Sequence, residues 1–385
     1  MVATLAALPA APAQAADGAL DPTFSGDGKA TASAPAAEGV VRQSTGKVVT
    51  AGGSAGLLRL ARHTVTGALD STWGGDGVVE ISLPGLEQVV GLSVQANDKV
   101  VVFARGPAGK GLVVRLTAQG VRDPTLDGDG RRETALPSAG VVRDGALDSA
   151  GRAVLLAQGS DRSVILVRHT IDTGGLDATF GGGDGIAQDG SAQVLEPRLA
   201  AAPDGKLVVA GDRFGDGAVV SRYTAAGAPD ATFAGDGHRE IPGGALDSEV
   251  AVDGSGRAVV ALFEGPIEGA RAAAYHPTGA VYVRRLTTGG AVDGTFGDRG
   301  IAWLEGWIEL GDLAIQADGR PVLGGGGQPA SDTPGTVQFR LTRLTAAGRP
   351  DEGFAPGGTV LTPFAQDAAL RALVIPPDRT IVAAG

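Results

Sequence analysis

Short apolar runs separated by polar turns extend along the whole chain and predict β-strands. Examples are residues 92–95, 100–103 and 112–116, which are bounded by Gly, Asp and Pro. Their apolar positions either alternate with polar ones or are continuous, as in half-buried and fully buried strands. Since no long stretch shows a helical period, we expect an all-β protein.

One motif, D-x-T-F-x-G-D-G in its commonest form, recurs seven times. Its first aspartates are separated by 49, 53, 54, 53, 63 and 58 residues. A period of this length is typical of repeat arrays and propellers. The seven aspartates are Asp21, Asp70, Asp123, Asp177, Asp230, Asp293 and Asp351.

Two further elements recur with the motif. One is a turn such as NDK or DGK followed by an apolar run, which predicts a hairpin. The other is R-[LHY]-T, whose arginine precedes six of the seven aspartates by eight residues, or by nine in one case. The six arginines are Arg62, Arg115, Arg168, Arg222, Arg285 and Arg343.

Each unit therefore supplies four predicted strands: one after the motif, two around the hairpin turn and one that ends in R-x-T. Four strands per unit, repeated seven times, predict a β-propeller of seven four-stranded blades over residues 16–385. The last blade is expected to lack one strand, because only six R-x-T segments are present. The strand predicted at about residues 28–32 is expected to serve as its outer strand.

The pattern G-x-L-D-x-T-F-G-x-x-G, followed by a D-G-K hairpin and R-[LY]-T, resembles the delta-60 repeat family of bacterial exported proteins. The resemblance extends from about Ala16 to the end of the sequence. It implies a propeller-like repeat domain and brings no known activity, cofactor or catalytic residue. The sequence departs from the family pattern at Leu126, where the aromatic residue is lost, and at Glu352 and Gly353.

Residues 1–15 are apolar and Ala-rich and end in Ala13-Gln14-Ala15, the pattern of a signal-peptide cleavage site. We therefore expect a secreted or cell-envelope protein, although no Lys or Arg precedes the apolar run; the alternative is an Ala/Pro-rich tail. The chain has no cysteine, which excludes a disulfide framework and thiol chemistry. No stretch reaches the ~18 apolar residues of a membrane span.

The formal net charge of −11 argues against nucleic acid or an anionic membrane as partner, because neutralising phosphates requires clustered basic residues. We expect a monomer whose partner is a protein or a carbohydrate at the cell surface. No cofactor is predicted.

The repeated residues have expected packing roles. Each motif aspartate is expected to accept backbone N–H bonds in a turn, and the arginine of R-x-T either pairs with it bidentately or lies on a solvated strand face. The large residue three positions after the aspartate is expected to plug the space between blades. These residues are Phe24, Trp73, Leu126, Phe180, Phe233, Phe296 and Phe354.

The repeated carboxylates could instead bind Ca²⁺, which prefers oxygen ligands. The candidate pairs are Asp21/Asp27, Asp70/Asp76, Asp123/Asp129, Asp177/Asp184 and Asp230/Asp236. We favour the turn role, because neither the EF-hand pattern nor the nonapeptide calcium repeat is present. Of the four histidines, His63 and His169 occupy equivalent positions in R-H-T and are expected to be packing residues.

Motifs of metalloproteases, serine hydrolases and phosphate-binding loops are absent from the sequence, so no catalytic residue is predicted. We expect a non-catalytic binding or surface-structural module; the alternative is a polysaccharide- or glycopeptide-directed lyase or hydrolase. A ligand should meet residues that break the repeat, chiefly the insertion in unit five and the segments 304–312 and 324–336. The candidate binding residues are Glu264, Glu268, Arg271, Tyr275, His276 and Tyr282. A tolerated surface insertion is the other interpretation.

Overall fold

The computed structural model describes residues 18–31, 37–107, 109–170, 172–213, 217–243, 245–265, 279–328 and 336–385. They form antiparallel strands joined by turns, with two short 3₁₀ segments at Pro137–Ala139 and Pro356–Gly358. Among these residues no helix is long and apolar enough to cross a membrane. Residues 1–15 lie outside the described part, so the leader and the cellular location stay predictions.

The strands form successive four-stranded groups, here called blades, whose strands run in chain order from the innermost to the outermost. Blade 1 contains β1 (Gly39–Arg42), β2 (Val48–Ser54), β3 (Leu57–His63) and β4 (Val78–Ser82). Blade 2 contains β5 (Gln88–Val94), β6 (Val100–Arg105), β7 (Lys110–Leu116) and β8 (Arg131–Ala135). Blade 3 contains β9 (Val141–Leu147), β10 (Ala153–Gln158), β11 (Val164–His169) and β12 (Ile186–Asp189).

Blade 4 contains β13 (Leu195–Ala201), β14 (Leu207–Asp212), β15 (Gly217–Tyr223) and β16 (His238–Pro242). Blade 5 contains β17 (Asp247–Val252), β18 (Ala258–Glu264), β19 (Gly279–Leu286) and the first half of β20 (Ile301–Ile315). Blade 6 contains the second half of β20, then β21 (Pro321–Gly327), β22 (Gln338–Arg343) and β23 (Thr359–Thr362). A last sheet pairs β24 (Ala372–Val374) with β25 (Val382–Ala384).

This arrangement confirms an all-β, propeller-like fold, but it does not confirm seven four-stranded blades. The described residues form six four-stranded blades and one two-stranded sheet. Residues 28–31 form no strand, so the predicted outer strand of the last blade is not observed there. The physical reason is the missing partner: β4 pairs with the third strand of its blade, and the described part of the last sheet has no third strand.

The innermost strands surround a central channel. Each inner strand contacts the inner strand of the next blade, and β24 contacts both β20 and β1. The hydrophobic core lies between the faces of neighbouring blades. One such cluster combines Val208 and Val220 of blade 4 with Val260 and Leu262 of blade 5. The core is therefore a series of layers around the channel.

The plug residue of each motif packs against a glycine in the turn of the following unit. A methyl group on Gly227, whose φ is +88°, would lie 2.7 Å from the ring of Phe180, so only glycine fits there. Phe354 of the last motif contacts Gly18 near the start of the described chain. The glycine–plug pairs are Gly67–Phe24, Gly120–Trp73, Gly174–Leu126, Gly227–Phe180, Gly290–Phe233, Gly348–Phe296 and Gly18–Phe354. These contacts form a closed cycle.

Candidate functional site

Five of the seven motif aspartates are buried acceptors at the junctions between blades, whereas Asp293 is partly buried and Asp21 is exposed. Asp230 Oδ1 accepts bonds from the Thr232 backbone N (3.1 Å) and Oγ1 (2.6 Å). Its Oδ2 pairs with Arg222 Nε at 2.8 Å and with Lys206 Nζ at 3.2 Å. Burial alone would raise the pKa of Asp230, but the bonds from Thr232 and the two cations outweigh burial and lower the pKa to about 2. The carboxylate therefore stays charged and fully engaged.

The arginine of R-x-T connects this carboxylate to the next blade. Arg222 Nη1 donates to the Thr288 carbonyl at 2.5 Å, and its guanidinium lies 4.7 Å from the ring centre of Phe233. Equivalent bonds to the next unit run from Arg62 to Ala118, from Arg168 to Ala225 and from Arg285 to Ala346. The arginines are buried rather than solvated, and Arg222 meets a single carboxylate oxygen rather than two. These side chains stabilise the junctions between blades.

The second aspartates of the proposed calcium pairs also form turns. Asp27, Asp76, Asp129, Asp184 and Asp236 each accept a bond of 2.9 Å from the backbone N–H two residues later. In the part of the chain that the structure describes, no group of three or more acidic or histidine residues could hold a metal ion. The turn role is the one that the sequence favoured, and calcium binding stays the alternative hypothesis.

Two histidines form polar links whose partners the sequence did not reveal. His169 contacts the Gly174 carbonyl and Thr134 Oγ1, both at 3.1 Å, and burial lowers its pKa to about 4. His238 lies 2.9 Å from Ser221 Oγ and 3.4 Å from Asp189 Oδ2. Tyr223 also donates to Asp189, at 2.9 Å. Sequence reasoning missed this cluster because β12, β15 and β16 supply it from distant positions.

A stacked aromatic pair, of which one ring is exposed, marks the outer part of blade 5. The rings of Tyr282 and Trp303 are stacked at 6.2 Å with an interplanar angle of 7°. Tyr282 is buried, whereas Trp303 is 52% exposed. The Arg284 guanidinium lies 5.9 Å from the Tyr282 ring centre. We call Tyr282, Trp303, Glu264, Arg284 and Glu305 the blade 5 ledge.

Strand register places the acidic residues of the ledge beside the aromatic pair. Glu264 and Glu305 both pair with Ala280, and one row, Phe263–Val281–Leu304, separates them from the Leu262–Tyr282–Trp303 row. Since alternate residues of a strand share a face, these side chains lie on one side of the blade. Burial and the Glu264 charge raise the pKa of Tyr282 to about 12. Of the predicted binding residues, Glu264 and Tyr282 are thus placed close together, and Glu268, Arg271, Tyr275 and His276 lie outside the described residues.

The ledge breaks the repeat at equivalent positions. In the other blades the pair matching Tyr282–Trp303 is Arg59–Glu80, Leu112–Glu133, Ile165–Gln188, Val219–Glu240 and Arg340–Leu361. The position of Trp303 therefore holds Glu in three blades. An aromatic residue that packing does not require, exposed on a rigid strand, is a candidate contact for a ligand.

The central channel is a second candidate site, which sequence reasoning missed. Its cavity of about 570 Å³ is lined by the inner strands and by charged residues of both signs, including Asp144, Arg198, Glu249, Asp312 and Arg371. Register shifts at Val89/Gly91, Leu195/Arg198 and Leu310/Asp312 lie beside these positions. Such bulges re-aim side chains, here near the channel wall. Aligning the repeats could have indicated this site, because charged residues replace glycine at equivalent positions of the inner strands.

Comparison with protein families gives one match. The family described as a domain of unknown function (DUF5122) beta-propeller matches residues 202–233, which include all of β14 and β15 and the start of the Asp230 motif, up to Phe233. The match supports the propeller-like fold, whereas the delta-60 resemblance stays a prediction. A comparison with curated proteins gave no match.

Comparison with solved structures gives matches at low sequence identity. The BP39L lectin from Burkholderia pseudomallei is 15% identical over 88% of this chain and 89% of that chain, with a TM-score of 0.52. A protein from Lactobacillus plantarum is 14% identical over 86% and 84%, with a TM-score of 0.48. The WD40 beta propeller domain of Doa1 is 14% identical over 74% of each chain, with a TM-score of 0.41. At such identities the likeness concerns the fold alone.

Proposed function

We propose that this chain is an exported, non-catalytic binding module that holds a cell-surface carbohydrate on the blade 5 ledge. The observation that carries the proposal is the exposure of Trp303, stacked on Tyr282, where three other blades have glutamate. Support also comes from the motif side chains, which are engaged in junctions between blades and leave function to positions that break the repeat.

The chemistry of the ledge suits a sugar ring. The C–H face of a pyranose is apolar and packs well on an exposed indole, while its hydroxyl groups need polar partners. Glu264 and Glu305 can accept hydroxyl hydrogen bonds, and Arg284 can donate them. The fold is shared with a lectin, which supports a binding role for a scaffold of this kind.

The same proposal includes the repeat assignment. We interpret the seven motifs as delta-60-type repeats, and the β24–β25 sheet as the inner part of a seventh blade. The contacts of β24 with β1 and β20, together with the Phe354–Gly18 contact, support a sevenfold ring. The protein would act outside the cell as a monomer.

Binding to an array of bacterial and fungal cell-surface polysaccharides tests the function. We expect Trp303→Ala to reduce binding at least tenfold, because stacking on the ring is lost, without changing the melting temperature. Val121→Ala is the matched control, since Val121 is also exposed (64%) and lies in blade 2 outside the ledge. Equal binding by Trp303→Ala and the native protein would eliminate the ledge. Release of new reducing ends from a bound polysaccharide would instead establish the lyase or hydrolase alternative.

A further inference from the structure

The channel has the size of a ligand site. Its cavity of about 570 Å³ falls within the ~300–1,000 Å³ of typical small-molecule sites. It is lined by inner strands of successive blades and lies apart from the ledge on outer blade 5. A ligand here would therefore be independent of the proposed carbohydrate.

One ring of channel positions breaks the repeat. These positions lie eight residues before the basic residue of each hairpin turn, and all of them line the cavity. In blade order they are Gly39, Gly91, Asp144, Arg198, Glu249, Asp312 and Arg371. The motif positions, by contrast, keep one residue type because they perform one packing role. The seven channel positions hold glycine, acidic residues or arginine, so they cannot share one packing role.

Some of the channel charges pair with one another. Arg198 lies 2.9 Å from Glu249 and 3.8 Å from Asp247, and Arg143 lies 2.8 Å from Glu196. The surrounding carboxylates raise the pKa of Arg198, so this guanidinium stays charged. These pairs occupy two of the channel arginines.

Charges of both signs are left over. Among the described residues, Asp144 accepts hydrogen bonds from backbone groups alone, Gly145 (2.7 Å) and Leu199 (2.8 Å). Asp312 likewise accepts from Leu313 and Leu373, both at 2.7 Å. Arg371 and Arg105 line the same cavity and form no ion pair with a carboxylate among the described residues. The Arg198 charge opposes the effect of burial on the pKa of both carboxylates, but this guanidinium forms its ion pairs with Glu249 and Asp247. The hydrogen bonds that Asp144 and Asp312 accept come from backbone N–H groups, so their oxygens can bind an added cation, and the Arg371 guanidinium can bind an added anion. The ligand should therefore carry both charges.

We propose that the central channel binds a small zwitterion, whose ammonium group is held by Asp312 and Asp144 and whose carboxylate is held by Arg371. A short peptide with free termini, or a free amino acid, has this chemistry. A metal ion suits the channel less, because the described acidic residues form no group compact enough to hold one. The two carboxylates accept backbone bonds from neighbouring inner strands, which fixes their positions before a ligand enters.

Isothermal titration calorimetry at pH 7.5 with alanine, dialanine and trialanine tests the proposal and measures the separation of the two charges. The ligand that binds most tightly is then compared with its N-acetylated, C-amidated and doubly capped forms. We expect each single cap to weaken binding at least tenfold, and the double cap to abolish it. Absence of binding by all three zwitterions, or equal binding by the doubly capped form, would overturn the proposal.

Measuring the capped ligands on variants of the channel residues shows which residue holds each charge of the ligand. In Asp312→Asn the N-acetyl cap should weaken binding less than in the native protein, because only Asp144 is left to hold the ammonium group, and in Arg371→Gln the C-terminal amide should no longer weaken binding. Asp144→Asn provides a second test of the ammonium site should Asp312→Asn unfold. Asp76→Asn and Arg349→Gln are matched controls outside the channel and should retain both effects. Trp303→Ala should bind the peptide normally, which separates this site from the ledge, whereas unchanged cap effects in all channel variants would refute the assignment.

Discussion

Removal of the Asp230 carboxylate should destabilise the protein far more than removal of the Asp236 carboxylate, the second aspartate of the same motif. Asp230→Ala leaves the Arg222 guanidinium, whose side chain is 5% exposed, without its charged partner and removes two bonds to Thr232. Breaking one side of a buried ion pair costs about 3–5 kcal/mol. Asp236→Ala removes one exposed turn bond of 2.9 Å, which contributes about 0.5–1.5 kcal/mol.

Urea unfolding at pH 7, followed by circular dichroism, measures both free energies of unfolding. The double variant Asp230→Ala/Arg222→Met should recover at least about 1.5 kcal/mol relative to Asp230→Ala, because no buried charge is left unpaired. The reasoning would be refuted by equal costs for Asp230→Ala and Asp236→Ala, or by a double variant no more stable than Asp230→Ala. A large fall in the melting temperature with EGTA would show that the motif binds calcium instead.

Two further predictions concern packing and pH. Gly227→Ala should lower the free energy of unfolding by about 2–4 kcal/mol, since the new methyl group combines a positive φ with a contact of 2.7 Å to Phe180. Gly235 has a φ of +98° but open space around it, so Gly235→Ala should lower the free energy of unfolding by about 1–2 kcal/mol. Urea unfolding measures both values. Relative to the variant Asp144→Asn/Asp312→Asn, the native protein should gain melting temperature as the pH falls from 7.5 to about 5, because burial raises the pKa of Asp144 and of Asp312 to about 6 and the folded state then binds protons that the unfolded state does not. His169, whose pKa burial lowers to about 4, acts in the opposite direction but equally in both proteins, so a constant difference between them from pH 7.5 to 5 would contradict the raised values. Below pH 4 both melting temperatures should fall, since Asp230, whose pKa is lowered to about 2, then contributes progressively less stability.

The sequence by itself determined the repeat unit and its local conformation. Seven motifs, the hairpin turns and the R-x-T strands predicted four antiparallel strands per unit, and the six complete blades have them. These features follow from the sequence because turns and strands depend on backbone preferences and on side chains a few residues apart. The Thr232 bonds to Asp230, for example, span two residues.

Only the tertiary structure decided which distant side chains meet. Arg222 reaches the turn of the next blade, Trp303 stacks on Tyr282 across two strands, and Asp144 and Asp312 line one channel although three blades' length of sequence separates them. The number of strands in the last sheet was also decided there, because a strand forms only against an available edge. Such proximity depends on how the blades are arranged around the axis, which is a property of the whole ring and is not encoded in any single repeat.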